Sequence, residues 1–90
     1  MKKDFYSSLK EKLDQEYNFP ILYMFKFIIQ SDNQKIALLS SLFGSGAQLS
    51  FNKSSKGKFT SITIREVMLS SDEIINKYKE AGKIEGVIAL

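Results

Sequence analysis

Residues 21–29, Ile-Leu-Tyr-Met-Phe-Lys-Phe-Ile-Ile, form a run of apolar and aromatic side chains that only Lys26 interrupts. Pro20 precedes this run and Ser31-Asp32-Asn33 follows it, so residues typical of turns bound it on both sides. One phase of the alternation carries Tyr23, Phe25, Phe27 and Ile29, and the other carries Met24, Lys26 and Ile28. Because apolar side chains occur in both phases, we predict a central strand of a sheet.

The flanking segments extend this strand into a regular alternation of strands and helices. Helices are predicted from Asp4 to about Tyr17, from a cap at Ser31 or Asp32 to Gly44, and from a cap at Ser70 to Gly82. We expect both glycines to end their helices through a positive φ. Further strands are predicted over residues 48–53, 59–67 and 84–90.

This order is an N-terminal helix over residues 1–17 followed by β-α-β-β-α-β over residues 18–90. The second part has the ferredoxin-like pattern of an α+β protein. We expect a four-stranded antiparallel sheet of order 4-1-3-2, with two helices on one face because β-α-β crossovers are right-handed.

The composition excludes several classes of function. The chain has 90 residues and neither cysteine nor histidine, so it lacks thiolate chemistry and the commonest general base. A Ser-Lys pair around Lys56 would need a buried lysine, which a turn does not provide. No apolar run approaches the ~20 residues of a membrane helix, and Met1-Lys2-Lys3-Asp4 does not begin a signal peptide. We expect a cytoplasmic, non-catalytic protein with no cofactor, no bound metal and no membrane association.

The charge is unevenly placed along the chain. No acidic residue lies between Asp32 and Glu66, a stretch that carries Lys35, Lys53, Lys56, Lys58 and Arg65. A locally basic surface favours an anionic or acidic partner. The alternative is that these lysines only keep a turn solvated.

The predicted hairpin turn, Lys53-Ser54-Ser55-Lys56-Gly57-Lys58, is the first candidate site. Its hydroxyls, backbone N–H groups and lysines could hold a carboxylate or a phosphate. In the alternative, the serines bond to their own backbone and Gly57 takes a positive φ.

The polar face of the sheet is the second candidate site. Strand alternation gives it Lys26, Asn52, Ser61, Thr63 and Arg65, with Met24 and Ile28 as apolar members. Arg65 is the chain's only arginine and suits bidentate binding of a carboxylate or phosphate. Alternatively, Arg65 pairs across strands, or the N-terminal helix covers this face. RNA binding is less favoured, because Phe59 would be followed on this face by Ser61, Thr63 and Arg65 rather than by a second stacking residue.

The last predicted strand, Ile84 to Leu90, is an apolar sheet edge in which Glu85 is the only charged residue. Such edges are commonly paired or covered, so a homodimer through this edge is a further hypothesis. Coverage by the N-terminal helix is the alternative.

Several local motifs together resemble the YbeD-like family, a small bacterial domain of unassigned function. They are Phe19-Pro20, Ser54-Ser55-Lys56-Gly57, Phe59, Ser61, Tyr78 and Gly82-Lys83-Ile84, and the resemblance covers about residues 18–90. It implies a ferredoxin-like, ACT-like domain with a regulatory or protein-binding role. ACT effector sites usually have a glycine between the first strand and the next helix, whereas this chain has Gln30-Ser31-Asp32-Asn33. An amino-acid effector at that loop is therefore disfavoured.

These observations together predict a small regulatory or adaptor module. Its partner would be a protein or a small anionic effector, bound by the basic hairpin and the sheet. The alternative is nucleic-acid binding, principally of RNA, through the same basic surface.

Overall fold

The computed structural model describes residues 5–90, which form three helices and four strands. The elements are α1 (Phe5–Glu16), β1 (Ile21–Gln30), α2 (Asn33–Ser41), β2 (Gln48–Lys53), β3 (Phe59–Met68), α3 (Ser71–Gly82) and β4 (Ile88–Ala89). The strands make one antiparallel sheet of order β2-β3-β1-β4, so the predicted ferredoxin-like fold with an added N-terminal helix is confirmed. The predicted helix start at Asp4 and the segment Met1-Lys2-Lys3 lie outside the described residues.

The core lies between one face of the sheet and the helices. Phe25 and Phe27 of β1 are fully buried, and they stand directly opposite Ile64 and Ile62 of β3. Burying one side chain of this size contributes roughly 1.5–3 kcal/mol. The prediction that β1 is central is confirmed, since β3 and β4 flank it.

The N-terminal helix belongs to the same layer as α3. Leu13 of α1 is only 4% exposed within the core. The Lys10 Nζ lies 3.2 Å from the Asp72 carboxylate and donates to the Ser71 hydroxyl at 3.1 Å, which ties α1 to the start of α3. The hydrogen bond to Asp72 is the main cause that raises the pKa of Lys10. Since α1 packs beside α3, it does not cover the opposite face of the sheet, contrary to one alternative.

The last strand is much shorter than predicted. Ile88 and Ala89 pair with β1, and the Leu90 N–H donates to the Lys26 carbonyl at 2.9 Å, whereas the prediction had the whole of residues 84–90 as a strand. Gly86 has a φ of 81°, and the Val87 N–H donates to the Ile84 carbonyl at 3.3 Å, so this segment begins as a turn. The edge strand on which the homodimer hypothesis was based is therefore two residues long, and the hypothesis stays a prediction.

The helix caps agree with the sequence, but the role of the glycines does not. Asp32 caps α2 by accepting from the Gln34 N–H at 2.8 Å, and Ser70 caps α3 by accepting from the Glu73 N–H at 3.2 Å. Within residues 5–90, positive φ occurs at Gly57 and Gly86 and not at Gly44 or Gly82, so that part of the prediction is wrong.

Gly44 lies against the side chain of Glu66. Its N–H donates to the Glu66 carboxylate at 2.7 Å, and a Cβ at this position would lie 2.8 Å from the same oxygen. A larger residue here would therefore displace the end of the Glu66 side chain and disturb this hydrogen bond.

Candidate partner-binding surface

Within residues 5–90, no helix packs on one face of the sheet, and we call it the open face. It comprises the side chains of Leu22, Met24, Lys26, Ile28 and Gln30 on β1, Gln48, Ser50 and Asn52 on β2, Phe59, Ser61, Thr63, Arg65 and Val67 on β3, and Ile88 on β4. The register pairs Met24 with Arg65, Lys26 with Thr63, and Ile28 with Ser61. Every residue predicted for the polar sheet face therefore lies on the open face.

The open face carries more exposed apolar side chains than the two, Met24 and Ile28, that were predicted for it. Leu22 is 63% exposed and stands opposite Val67, which is 55% exposed. Met24 continues this patch at one end of the sheet, and Phe59 with Ile88 forms a second exposed group near the other end. Contiguous exposed apolar side chains rimmed by polar ones mark interaction sites.

The charges on the open face have a single sign. Lys26 and Arg65 are its charged side chains, and none of its members is acidic. The direct cross-strand neighbours of Arg65 are Met24 and Gln48, so no carboxylate stands opposite its guanidinium. Glu66 lies in the other phase of β3, where its carboxylate accepts from the Gly44 N–H. Arg65 thus retains its full capacity to bind an external carboxylate.

The hairpin turn uses two of its predicted site residues for its own closure. The Ser54 N–H and the Phe59 carbonyl pair at 2.8 Å, and the Ser54 hydroxyl accepts from the Phe59 N–H at 3.2 Å. Gly57 has a φ of 73° and donates its N–H to the Ser54 carbonyl at 2.8 Å. The alternative of a self-bonded turn therefore describes Ser54 and Gly57.

The remaining hairpin residues are exposed. Solvent surrounds the side chains of Lys53, Ser55, Lys56 and Lys58 around the turn. Because the N–H groups of Ser54, Gly57 and Phe59 are already bonded, the turn offers solvated ammonium groups rather than a rigid backbone cradle for an anion.

A shallow concavity joins the hairpin to the open face. It encloses about 160 Å³ and is lined by Ile28, Asn52, Lys53, Ser54, Phe59 and Ser61. The Ser61 hydroxyl donates to the Asn52 carbonyl at 3.3 Å across the strands. Arg65 is four residues further along β3, or about 13 Å at the rise of a strand. The predicted site residues therefore spread over an extended surface instead of converging on one point.

A larger cavity lies in the helical layer, and it was not predicted from the sequence. It encloses about 480 Å³ between α1, α3 and β1. Tyr23 and Tyr78 line it, and their hydroxyl oxygens lie 3.0 Å apart. Burial, followed by this hydrogen bond, raises the pKa of Tyr78 above its ordinary range. One feature of the sequence could have indicated this pair. Tyrosine, rather than phenylalanine, occupies two positions whose periodicity places them on the buried side of β1 and α3.

The described residues contain neither a metal-binding cluster nor a membrane-spanning helix. Within residues 5–90, no group of three or more acidic side chains is placed to hold a metal ion. None of the helices in this part of the chain is both long and apolar enough to span a bilayer.

Together, the fold and the open face define a small ferredoxin-like α+β module with one uncovered sheet face. Residues 14–90 match the family described as "Protein of unknown function (DUF493)", and the chain belongs to this family. YbeD-like proteins belong to the same family, so the resemblance seen in the sequence is confirmed. The match begins within α1, before the boundary predicted at residue 18. Comparisons with curated proteins and with solved structures found no match to this chain.

Proposed function

We propose that this chain is a non-catalytic regulatory or adaptor module that binds an acidic protein partner on the open face of its sheet. The observation that carries this proposal is the arrangement of Arg65 and Lys26 beside the exposed side chains of Leu22, Met24 and Val67. An exposed apolar patch favours contact with another protein, and unpaired cations within it select carboxylates.

The size of the surface favours a protein over a small anionic effector. The concavity beside the hairpin encloses about 160 Å³, which is below the range of about 300–1,000 Å³ typical of small-molecule sites. The residues that face outward extend along the whole of β1 and β3. A partner segment with alternating apolar and acidic side chains would match this surface.

The hairpin lysines have a different role in this proposal. Lys53, Lys56 and Lys58 are exposed at one edge of the open face. Mobile, solvated charges of this kind increase the rate of association more than they slow dissociation. We therefore assign partner capture to the hairpin and the specific contact to Arg65 and its apolar neighbours.

The test is affinity capture of the tagged chain from its native cell lysate with nuclease treatment, followed by titration of the identified partner. The open-face variant combines Met24→Ser with Arg65→Gln. The control variant combines Leu38→Ser with Lys12→Gln, since both residues are exposed on helices. We expect an acidic partner that survives nuclease, binds the control normally, and binds the open-face variant at least tenfold more weakly.

Two results would contradict this function. Equal affinity of the open-face and control variants for the partner would place the site elsewhere. A partner without acidic residues at the contact would remove the role of Arg65.

Nucleic-acid binding is the second candidate, and one observation favours it. Phe59 is 46% exposed on the open face, directly after Lys58, where a base could stack. Within residues 5–90 the strands place no second aromatic residue on this face, whereas base-stacking platforms commonly use several. RNA binding would show as nuclease-sensitive capture and as a linear loss of log affinity with log salt, with a slope near −0.7 per phosphate contact.

A further inference from the structure

The cavity in the helical layer is separate from the open face. Its lining is contributed by α1, β1, α3 and the segment around β4, and it includes Leu9, Tyr23, Tyr78, Ala81 and Val87. Its volume of about 480 Å³ lies within the range of sites that bind small molecules. It is therefore large enough for an organic ligand.

The lining side chains are uncharged, and their polar groups are three tyrosine hydroxyls. No lysine, arginine, aspartate or glutamate side chain is among the lining residues. An ionised ligand would lose part of its hydration there and would meet no counter-charge among the lining side chains, so the site favours a neutral molecule.

The tyrosine pair supplies one directed polar group. When the hydroxyls of Tyr23 and Tyr78 bond to each other at 3.0 Å, one of them donates and the other keeps its hydrogen. Both rings pack against the buried Phe25, at centroid distances of 4.8 and 5.3 Å, which holds the hydroxyls in position. The remaining hydrogen can be donated to an acceptor on a ligand.

We propose that this cavity binds a neutral, mainly apolar small molecule that places a single acceptor, such as a ketone or ester oxygen, on the Tyr23–Tyr78 hydroxyl pair. The apolar part of the ligand packs between Leu9 of α1 and Ala81 of α3. This site does not depend on the proposed partner of the open face.

The test uses Prodan, a neutral naphthyl ketone whose emission shifts to the blue in apolar surroundings and to the red when its ketone accepts a hydrogen bond. We expect saturable binding of one dye per chain. The double variant Tyr23→Phe/Tyr78→Phe is used because either single substitution leaves one hydroxyl with a free hydrogen. It should weaken binding about three- to tenfold, as expected for the loss of one neutral hydrogen bond, and shift the bound emission further to the blue. Tyr17→Phe, which removes a hydroxyl outside the lining, should bind normally.

Two controls separate the hydrogen bond from packing. A dimethylaminonaphthalene without the ketone should bind the wild-type chain and the double variant equally. If the double variant does not fold, as judged by circular dichroism, the infrared carbonyl stretch of Prodan bound to the wild type replaces it, because a hydrogen bond to the ketone lowers that frequency. Equal Prodan affinity and equal emission in the wild type and the phenylalanine variant would overturn the assignment of the acceptor.

Filling the cavity tests where the dye binds. Leu9→Trp places a larger side chain in the lining and should weaken Prodan binding at least fivefold, with Val87→Phe as the substitute if that variant does not fold. Leu22→Ser removes an exposed apolar side chain from the open face and should leave binding unchanged. The absence of saturable binding, or its loss in Leu22→Ser with retention in the filled variant, would overturn the proposal.

Discussion

Both faces of β1 carry large apolar side chains, but these side chains differ in their exposure. Phe25 and Phe27 point toward the helices and are fully buried, whereas Leu22 and Met24 point away and are 63% and 47% exposed. The difference lies in what covers each face, because all three helices pack on the same side. An apolar residue in a strand therefore identifies the core only once the covering elements are known.

The first prediction compares these faces directly and has the largest expected effect. Phe27→Ala should lower the free energy of unfolding by about 3–5 kcal/mol, since it opens a cavity in a fully buried position. Met24→Ala on the same strand should change it by less than about 0.5 kcal/mol. Urea unfolding followed by circular dichroism measures both, and similar losses for the two variants would mean that the open face is covered in solution.

The second prediction makes the same comparison with two threonines of β3. Thr60 is buried on the helical face, and its hydroxyl lies 2.8 Å from the Ser31 hydroxyl. Thr60→Val should cost about 1 kcal/mol because the Ser31 hydroxyl loses its partner. Thr63→Val on the open face keeps the same shape change and should stay within about 0.5 kcal/mol of the wild type.

For this pair, the reverse ranking in urea unfolding would contradict the assignment of the faces. The double variant Ser31→Ala/Thr60→Val checks the mechanism. Removing both hydroxyls should cost less than the sum of the two single substitutions.

The third prediction concerns pH and has the smallest expected effect. Burial raises the pKa of Tyr78, so between its unfolded and folded values the native state keeps a proton that the unfolded state has lost. The resulting stabilisation is fully present below the unfolded pKa of about 10 and is lost as the pH rises through the folded value.

The urea midpoint of the wild type should therefore fall more steeply than that of Tyr78→Phe above about pH 10. Tyr17→Phe serves as the control, because Tyr17 lies outside the cavity lining and its slope should match the wild type. Parallel slopes for wild type and Tyr78→Phe would show that Tyr78 titrates normally.

Much of the candidate surface could be predicted from the sequence. Side chains alternate between the two faces of a strand, and this alternation alone predicts that Lys26, Thr63 and Arg65 share one face. The exposed apolar contribution of Leu22 and Val67 was not predicted. Their exposure depends on which side of the sheet the helices occupy, and alternation alone does not give that.

The short-range features of this protein follow from the sequence itself. Side-chain periodicity, the caps at Asp32 and Ser70, and the turn around Gly57 involve residues within a few positions of each other. Such local interactions determined the order of elements, the central place of β1 and hence the ferredoxin-like fold.

Other features depend on contacts between residues far apart in the sequence, and these follow only from how the whole chain packs. Gly44 meets Glu66 across 22 positions, Lys10 meets Asp72, and Tyr23 meets Tyr78 across 55 positions. These contacts determine how the loop after α2 is held to β3, where α1 lies and what lines the cavity. Local sequence patterns do not predict these contacts, because two distant residues become neighbours only when the whole chain has packed.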